Sequence, residues 1–258
     1  MLKIATWNVN SIRTRLHAVD QWFSDYQPDV VAFQETKVMD DSFPYDWFAE
    51  RGYHVAVHGQ KSYNGVATVS RTNITQPITS WEHWPDDQAR FLQVTLPNDL
   101  IVINVYVPNG QSLDSPKYTY KLQWLDALLA HLSTIDMSKN RVVLMGDFNI
   151  APTDQDVHDP EIWQDKILVS PEERSRYQSI CALGMVDTYR MIHPGSPGFS
   201  WWDYRQAGWR RDRGLRIDCV FVSEHLRPAC QTADVHRLTR GGDRPSDHAP
   251  VTIELIND

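Results

Sequence analysis

The stretch Val142-Val143-Leu144-Met145-Gly146-Asp147-Phe148-Asn149 joins four apolar residues to a turn that carries a carboxylate and a carboxamide. An apolar run of this length that ends at a glycine is typical of a buried β-strand. If strand geometry persists through the turn, Asp147 and Asn149 point to the same face, because strand side chains alternate. The stretch therefore predicts a strand end that presents two polar groups to one crevice, although an ordinary turn explains the same residues.

Polar side chains lie beside other apolar runs in the same way. Taken singly, each of these residues is typical of a turn or of an ordinary hydrogen bond. Their repetition at the ends of apolar runs is harder to explain by turns alone, and it predicts an active site. The groups are Asn8 with Asn10, Glu35, Tyr106, Asp147 with Asn149, Asp218, and Asp247 with His248.

The hydrophobic pattern predicts strands interspersed with a few helices. Helical spacing or helix caps are found over 12–23, 115–132 and 171–183, and the third helix starts at the capping box Ser170-Pro171-Glu172-Glu173. Residues 223–250 are predicted to be rich in loops. The predicted strands are 2–7, 30–33, 53–58, 65–70, 91–96, 101–107, 142–145, 217–222 and 251–255.

The connections between these elements limit the possible folds. Several strand pairs are joined by turns too short for a parallel crossover, which excludes an all-parallel sheet. We therefore predict an α/β (α+β) fold, a four-layer α-β-β-α sandwich of two packed mixed sheets flanked by helices. No linker, repeat or low-complexity tract divides the chain, so we expect one domain over residues 1–258.

The composition excludes several classes of protein. With 258 residues, of which 41% are hydrophobic and 22% charged, the chain is typical of soluble globular proteins. Cys181, Cys219 and Cys230 are odd in number and lack zinc-type spacing, which indicates buried free thiols in a reducing compartment rather than disulfides. Because no signal peptide and no segment of membrane-spanning length is found, we expect a cytoplasmic protein without membrane contact.

The charge of the chain is unevenly distributed. The net charge of −8 opposes nonspecific binding to a polyanion, because phosphate contacts require lysine and arginine. Trp201, Trp202 and Trp209 lie in an arginine-rich segment, although core packing explains Trp201 or Trp202 alone. The segment predicts a basic loop on an acidic body, or more simply a solvated loop. Its arginines are Arg205, Arg210, Arg211, Arg213 and Arg216.

The polar groups at the strand ends favour one kind of chemistry. Oxygen ligands without a matching set of cysteines and histidines favour Mg²⁺ or Mn²⁺ over zinc. Such an ion stabilises charge on a phosphate ester while a carboxylate or an imidazole activates water. Because the chain has no glycine-rich phosphate loop, hydrolysis is favoured over nucleotide-driven phosphoryl transfer.

Six segments carry a resemblance to a known family. They are Ala5-Thr6-Trp7-Asn8-Val9-Asn10, Phe33-Gln34-Glu35-Thr36-Lys37, Asn104-Val105-Tyr106-Val107-Pro108-Asn109-Gly110, Gly146-Asp147-Phe148-Asn149, Gly214-Leu215-Arg216-Ile217-Asp218 and Ser246-Asp247-His248-Ala249-Pro250. With them the sequence resembles the exonuclease III family of apurinic/apyrimidinic endonucleases, within the endonuclease/exonuclease/phosphatase superfamily. The segments span nearly the whole chain, and their ordered combination is highly specific.

The resemblance implies a metal site. Glu35 would be the principal ligand, with Asn8 and Asp247 near the same ion. Asp147 and Asn149 would position and activate water and could bind a second ion. One or two Mg²⁺ or Mn²⁺ ions are therefore expected.

The resemblance also implies the groups that act on the phosphate. His248, counted among the metal-site residues as well, would contact the scissile phosphate, and Asp218 would orient its ring. Tyr106 would assist near the phosphate or the leaving oxygen. Either Asp147 or His248 would remove the proton from water.

The arginine-rich segment resembles a loop that meets duplex DNA. Trp201 and Leu215 would line a pocket for a baseless sugar, which an intact nucleotide could not enter. The implied enzyme is a divalent-metal-dependent DNA repair phosphodiesterase for abasic sites and 3′ ends of duplex DNA, an endonuclease and 3′-to-5′ exonuclease with 3′-end cleaning. The DNA contacts would come from Arg205, Arg210, Arg211 and Arg213.

Two other functions fit the same residues. A small-molecule or lipid phosphatase on this scaffold would share the metal and His248 chemistry, and the loop at 199–216 distinguishes it from a nuclease. A catalytically inactive DNA damage binder is the other alternative, although every implied catalytic position is filled. In each case we expect a monomer.

Overall fold

The computed structural model of the chain describes residues 1–82, 84 and 86–256. Its helices are α1 (Ile12–Tyr26), α2 (Tyr45–Ala49), α3 (Pro116–Ser133), α4 (Pro160–Trp163), α5 (Pro171–Ala182) and α6 (Thr188–Ile192). Its strands are β1 (Leu2–Asn8), β2 (Val30–Gln34), β3 (His54–His58), β4 (Val66–Ser70), β5 (Thr75–Ile78), β6 (Phe91–Leu96), β7 (Leu100–Tyr106), β8 (Val142–Asp147), β9 (Met185–Asp187), β10 (Trp201–Trp202), β11 (Gly214–Leu215), β12 (Asp218–Ser223), β13 (Cys230–Val235) and β14 (Val251–Leu255).

Two six-stranded sheets form the centre of the molecule. The first sheet has the strand order β13-β14-β1-β2-β4-β3, and the second has the order β5-β6-β7-β8-β12-β9. The pairs β1–β2 and β7–β8 are parallel, and α1 and α3 connect them. Antiparallel pairs complete both sheets, so each sheet is mixed, as predicted.

Three apolar clusters separate the layers of the fold. Phe23 of α1 packs in the cluster on the outer face of the first sheet. Trp124 of α3 and Tyr177 of α5 pack in the cluster on the outer face of the second sheet. The predicted four-layer α-β-β-α sandwich is therefore confirmed. The cluster between the sheets takes alternate residues of the central strands, among them Ile4, Val30, Val102, Val143 and Val220.

The predicted elements with continuous apolar runs or clear caps are present. The predicted strands lie within one residue of the observed bounds, except that β8 extends two residues further, to Asp147. The capping box of α5 is formed by Ser170 and Glu173. At the start of α3 the hydroxyl of Ser115 accepts the backbone N–H of Lys117 at 3.1 Å. Local sequence signals therefore account for most of the two sheets.

The prediction of loop-rich sequence over 223–250 missed one strand. Cys230–Val235 forms β13, an edge strand that pairs with β14. Its residues alternate irregularly between buried and exposed positions, so its sequence has no continuous apolar run. The strands β5, β9, β10 and β11 are also absent from the prediction, because segments of two to four residues carry too little periodicity.

Two further expectations concern the state of the cysteines and the presence of a membrane-spanning segment. Cys181, Cys219 and Cys230 are all free thiols, as predicted. Cys181 is exposed on the last turn of α5, however, so the prediction that all three are buried is wrong for this residue. Over the part of the chain that the structure describes, no helix has both the length and the apolar character of a membrane span.

Candidate active site

The polar residues lie together along the edge of the two sheets where the central strands end. The parallel strands β1 and β2 end there at Asn8 and Gln34, and the parallel strands β7 and β8 end there at Tyr106 and Asp147. The strand β12 runs antiparallel to β8 and begins at the same edge, with Asp218 opposite Asp147. Topology therefore brings together groups that lie far apart in the sequence.

The loops that leave this edge adopt rare backbone conformations. The backbone angle φ is 45° at Asn10 and 51° at Glu35, in the left-handed region that non-glycine residues seldom occupy. Such conformations cluster at functional sites, where surrounding contacts hold them. Position 146 requires glycine because the neighbouring strand is too close for a side chain. A Cβ there would lie 1.9 Å from the carbonyl oxygen of Val105.

Asn149 reaches this edge through a turn. The strand β8 ends at Asp147, and Asn149 has a left-handed φ of 50°. The prediction that strand alternation gives the two residues one face is therefore wrong. The backbone N–H of Asn149 instead donates to Oδ1 of Asp147 at 2.9 Å, while its side chain bonds the carbonyl of Val107 and the amide of Asn109. Asn149 is thus tied directly to the Asp147 carboxylate.

Glu35, Asp147 and His248 form a compact group, in which one ligand atom from each lies within 4.8 Å of the others. The amide of Asn8 lies between the carboxylates and donates to Oε1 of Glu35 and Oδ2 of Asp147, both at 2.9 Å. Its own oxygen accepts the backbone N–H of Asn10 at 3.0 Å. Asn8 therefore orients both carboxylates as a hydrogen-bond donor.

Asp218 holds the imidazole of His248 from the other side. Nδ1 of His248 lies 2.8 Å from Oδ2 of Asp218, and Nε2 lies 3.7 Å from Oδ2 of Asp147. The hydroxyl of Ser200 donates to the Asp218 carboxylate at 2.6 Å and accepts the backbone N–H of Asp218 at 3.0 Å. Ser200 was not identified from the sequence, where its signal was only its place in the aromatic motif Phe199-Ser200-Trp201-Trp202.

Burial and charge act in opposite directions on these ionisable groups. Burial lowers the pKa of His248, but Asp218 and Asp147 outweigh this effect and raise that pKa above its usual value, so the ring is charged at neutral pH. Burial raises the pKa of Asp147, against the opposing charge of His248. Burial also acts to raise the pKa of Glu35, but Lys37, Asn8 and His248 together outweigh burial and lower it.

Lys37 is a charged neighbour that sequence reasoning missed. Its ammonium lies 2.8 Å from Oε2 of Glu35 and also donates to the side-chain oxygen of Asn10. Its only signal in the sequence was its position two residues after Glu35 in a strand-end motif. The lysine neutralises the carboxylate that the resemblance assigns as the principal metal ligand.

Tyr106 and Asp247 lie at the border of the group. Burial, with the nearby charge of Glu35, raises the pKa of Tyr106 well above its usual value, so the phenol keeps its proton. The Asp247 oxygens accept hydrogen bonds from Asn10 and from the indole of Trp201, both at 3.0 Å. Asp247 therefore contacts the loops around the group rather than the Glu35 and Asp147 carboxylates.

The donor set fits a hard divalent cation. Glu35 and Asp147 offer carboxylate oxygens from opposite sheets to one small volume. Oxygen ligands suit Mg²⁺ or Mn²⁺. His248 offers a ring nitrogen to the same volume, but its raised pKa favours the protonated ring, so an ion would have to displace that proton before the imidazole could bind it.

The arginine-rich segment is an exposed loop beside this group, with one exception. Arg216 is buried, and its guanidinium bonds Asp156 at 2.6 Å and Asp187 at 2.8 Å. Its inclusion in the basic loop is therefore wrong, because both of its partners are interior carboxylates. The exposed arginines are Arg205, Arg210, Arg211 and Arg213.

The aromatic residues of the loop have different surroundings. Trp202 is fully buried and packs against Trp209, with their ring centroids 4.8 Å apart. Trp201 is half-buried and donates to Asp247. Leu215 pairs with Trp201 across β10 and β11 but is fully buried in a small apolar cluster. One of the two adjacent tryptophans is therefore a core residue, and the other borders the candidate active site.

Two mixed sheets pack into one sandwich, and carboxylates and a histidine meet where strands of both sheets end. This is the arrangement of a divalent-metal-dependent phosphoester hydrolase. Residues 5–248 match the Endonuclease/Exonuclease/phosphatase family, and the chain belongs to that family. The predicted fold and the resemblance to exonuclease III are thus confirmed.

Three proteins illustrate the similarity. Exodeoxyribonuclease III of Haemophilus influenzae is 35% identical over 269 residues, which cover 98% of this chain and 100% of the relative. The structure of a 3′ phosphatase from Neisseria, bound to a product DNA hairpin, has a TM-score of 0.96 and 42% identity and covers 100% of both chains. An AP endonuclease from Archaeoglobus fulgidus has a TM-score of 0.96 and 38% identity, again over 100% of both chains. With the family membership, they show a hydrolytic nuclease.

Proposed function

We propose that this nuclease is a DNA repair phosphodiesterase that cleaves duplex DNA at abasic sites and removes nucleotides or blocking groups from 3′ ends. The observation that carries the proposal is the buried line Asp218–His248–Asp147 beside Glu35, which combines proton-transfer groups with metal ligands. The relatives support the substrate, since they are an exodeoxyribonuclease, a 3′ phosphatase bound to a DNA hairpin and an AP endonuclease.

Asp147 is the proposed general base, and Asn149 helps to position the water. Asp147 accepts hydrogen bonds from Asn149 and Asn8, so the carboxylate is held in one orientation. Burial raises its pKa toward the range in which a carboxylate accepts a proton from water efficiently. His248 is less suited to this role, because its raised pKa keeps the ring protonated.

His248 is proposed to contact the scissile phosphate. The Nδ1–H group of the charged ring donates a hydrogen bond to Asp218, which leaves the Nε2–H group available on the side of the ring that faces Asp147. A positive donor at this place stabilises the charge that develops on the phosphoryl oxygens. Tyr106 keeps its proton and would donate to the phosphate or to the leaving oxygen.

Glu35 is the proposed principal ligand of a divalent ion, Mg²⁺ or Mn²⁺. The ion would supply Lewis-acid stabilisation of the phosphoryl oxygens. Asn8 would lie near it and would mainly orient Glu35 and Asp147, to which its amide donates. Asp247 would lie near it and would hold the surrounding loops through Asn10 and Trp201. Asp147 and Asn149 are the proposed contacts of a second ion.

The exposed loop is the proposed DNA surface. Trp201 borders the candidate active site and would form the wall of a pocket for a baseless sugar. Leu215 would complete that wall by supporting Trp201, because it is the fully buried cross-strand partner of Trp201 and belongs to the apolar cluster on which Trp201 packs. Contacts to the DNA backbone would come from Arg205, Arg210, Arg211 and Arg213.

The oligomeric state, the localisation and the domain organisation are also part of the proposal. The enzyme would act as a cytoplasmic monomer, with residues 1–258 as one domain. The packing of both sheets on one inter-sheet cluster supports a single domain. His83, Pro85, Asn257 and Asp258 lie outside the described residues.

Paired oligonucleotide assays test the proposed function. One duplex contains an abasic-site analogue, a second has a recessed 3′ end, and a third ends in a 3′ phosphate. We expect incision 5′ to the analogue, shortening of the recessed end and release of phosphate with Mg²⁺ or Mn²⁺, and none of these with a chelator. No metal-dependent cleavage of any duplex would overturn the proposal.

Asp147→Asn is the matched control for contaminating nuclease. The amide preserves the size of the side chain but cannot accept a proton from water. We expect kcat to fall by at least about 10³-fold, with an unchanged circular dichroism spectrum. A variant with the wild-type rate would contradict the role of Asp147.

A further inference from the structure

A layer of polar side chains lies beneath the candidate active site, inside the core between the sheets. Asn104 of β7, Gln34 of β2 and Thr6 of β1 are completely buried. Burying polar groups costs free energy unless they are hydrogen-bonded, so their presence in an apolar layer requires an explanation. Each lies two residues beyond a member of the apolar inter-sheet cluster, namely Val102, Ala32 and Ile4.

The side chain of Asn104 bonds the opposite sheet. Its Nδ2 donates to the carbonyl oxygens of Phe33 in β2, at 3.1 Å, and of Ala67 in β4, at 3.0 Å. Its Oδ1 accepts from Nε2 of Gln34 at 2.8 Å. Gln34 also donates to the hydroxyl of Thr6 in β1 at 2.9 Å. One residue of the second sheet is thereby connected to three strands of the first.

These bonds act on the strands that carry the candidate metal ligands. Glu35 directly follows Gln34, so the direction of its side chain depends on the peptide that joins it to the end of β2. Its φ of 51° lies in the left-handed region, which surrounding contacts must hold. Tyr106 lies two residues beyond Asn104 on the same face of β7, and it pairs with Asp147 of β8. The network therefore joins the strand before Glu35 to the strands that end in Tyr106 and Asp147.

We propose that Asn104, acting through Gln34 and the backbone of β2 and β4, is a positioning residue that sets the spacing between Glu35 and Asp147. Apolar packing between the sheets is non-directional and does not specify a spacing. Hydrogen bonds have a defined length and direction. The inference rests on the proposed function, because it explains how carboxylates from two sheets are held as one metal site.

Asn104→Leu tests the proposal, because leucine has a similar size and makes none of the three bonds. We expect kcat on the abasic duplex to fall about 100-fold, because misplaced reacting groups lose rate, while KM is unchanged. The dissociation constant for Mn²⁺, measured by calorimetry without DNA, should rise about tenfold. A residue with only a structural role would leave both quantities unchanged in the folded protein.

Val102→Ala is the matched control, because Val102 lies on the same face of β7, is equally buried and is further from the candidate active site. It should lower the melting temperature without changing kcat or Mn²⁺ affinity. If Asn104→Leu does not fold, Asn104→Ser is measured in its place by the same criteria.

Two results would overturn the positioning role. One is wild-type kcat and Mn²⁺ affinity in the folded Asn104 variant. The other is an equal loss of both quantities in Val102→Ala. A wild-type protein that binds Mn²⁺ but cleaves no duplex would instead count against the proposed function, and the calorimetric comparison of the variants would still decide the role of Asn104.

Discussion

A histidine that stays charged in the protein interior is the central feature at the residue scale. Desolvation disfavours the imidazolium of His248, and the carboxylates of Asp218 and Asp147 outweigh that cost. Ser200 and Asn8 in turn hold these carboxylates through hydrogen bonds. The charge is therefore already in place before substrate binds, which is the condition for electrostatic catalysis without reorganisation.

Asp218→Asn is predicted to lower the pKa of His248 and to slow catalysis. The amide keeps the shape of the side chain but removes a charge that raises this pKa. His248 should therefore lose its proton at a lower pH than in the wild-type protein. Nuclear magnetic resonance titration of the metal-free protein measures this shift, and kcat should fall by about 10–100-fold.

His131 is the internal reference for that titration, because it bonds Gln93 and its pKa is lowered by burial. Its titration should be the same in both proteins. An unchanged titration of His248 in Asp218→Asn would show that the carboxylate does not hold the charge on the ring.

Among the elements of the fold, the arginine-rich loop and the segment that carries His248 form one hydrogen-bonded unit. The backbone N–H of Trp202 donates to the carbonyl of Asp247 at 3.0 Å, and that of Ala249 donates to the carbonyl of Ser200 at 2.8 Å. Trp201 also forms a backbone bridge with His248. Movement of this loop would therefore reach the imidazole directly.

The triple variant Arg210→Ala/Arg211→Ala/Arg213→Ala is predicted to weaken DNA binding and to flatten its salt dependence. These exposed guanidinium groups lie on a body of net charge −8, so local phosphate contacts must supply the attraction. Each lost phosphate contact should reduce the slope of log K against log salt by about 1. Fluorescence anisotropy with an abasic duplex at several salt concentrations measures this slope.

A charge-matched control removes Arg71, Lys139 and Arg227, which are exposed near the opposite edge of the sheets. This control should retain the wild-type slope. If the slope of log K against log salt falls equally in the loop variant and in the control, the binding surface lies elsewhere or the attraction is nonspecific. An unchanged slope in the loop variant would favour a compact phosphate ester as substrate.

The success of sequence prediction differed between the elements for physical reasons. Strands with continuous apolar runs, such as β2, were located within one residue, because burial on both faces leaves a strong local signal. The edge strand β13 and the short strands were missed, since their pairing partners define them more than their own residues do. The turn after Asp147 was misjudged because the left-handed conformation of Asn149 depends on contacts from Val107 and Asn109.

At the scale of the whole molecule, the candidate metal ligands couple the two sheets. Glu35 follows a strand of the first sheet and Asp147 ends a strand of the second. An ion bound by both would favour the folded state, because the unfolded chain does not bring these carboxylates together. Metal binding should therefore be visible as thermal stabilisation, independently of catalysis.

Mn²⁺ is predicted to raise the melting temperature of the wild-type protein. At a free concentration ten times the dissociation constant, binding adds about 1.4 kcal/mol to the free energy of unfolding. For a chain of this size, the melting temperature rises by roughly 3–6 °C. Differential scanning calorimetry at constant ionic strength measures the shift, which a chelator should reverse.

Glu35→Gln should abolish this stabilisation, because it removes the principal oxygen ligand. Glu161→Gln is the control, since Glu161 is an exposed carboxylate on α4. Mn²⁺ should raise the melting temperature of Glu161→Gln by as much as that of the wild-type protein. Equal shifts in Glu35→Gln and the wild-type protein would place the ion at another site.

Residue type and short-range periodicity are enough to predict the strands with strong apolar runs, the helix caps and the chemical identity of the polar groups at the strand ends. Which of these groups meet depends on the folded arrangement of the sheets. That arrangement brings Lys37 to Glu35 and Ser200 to Asp218, and it buries Arg216 in the interior. The physical reason is that contacts between distant strands depend on pairing register and sheet packing, which local patterns do not encode.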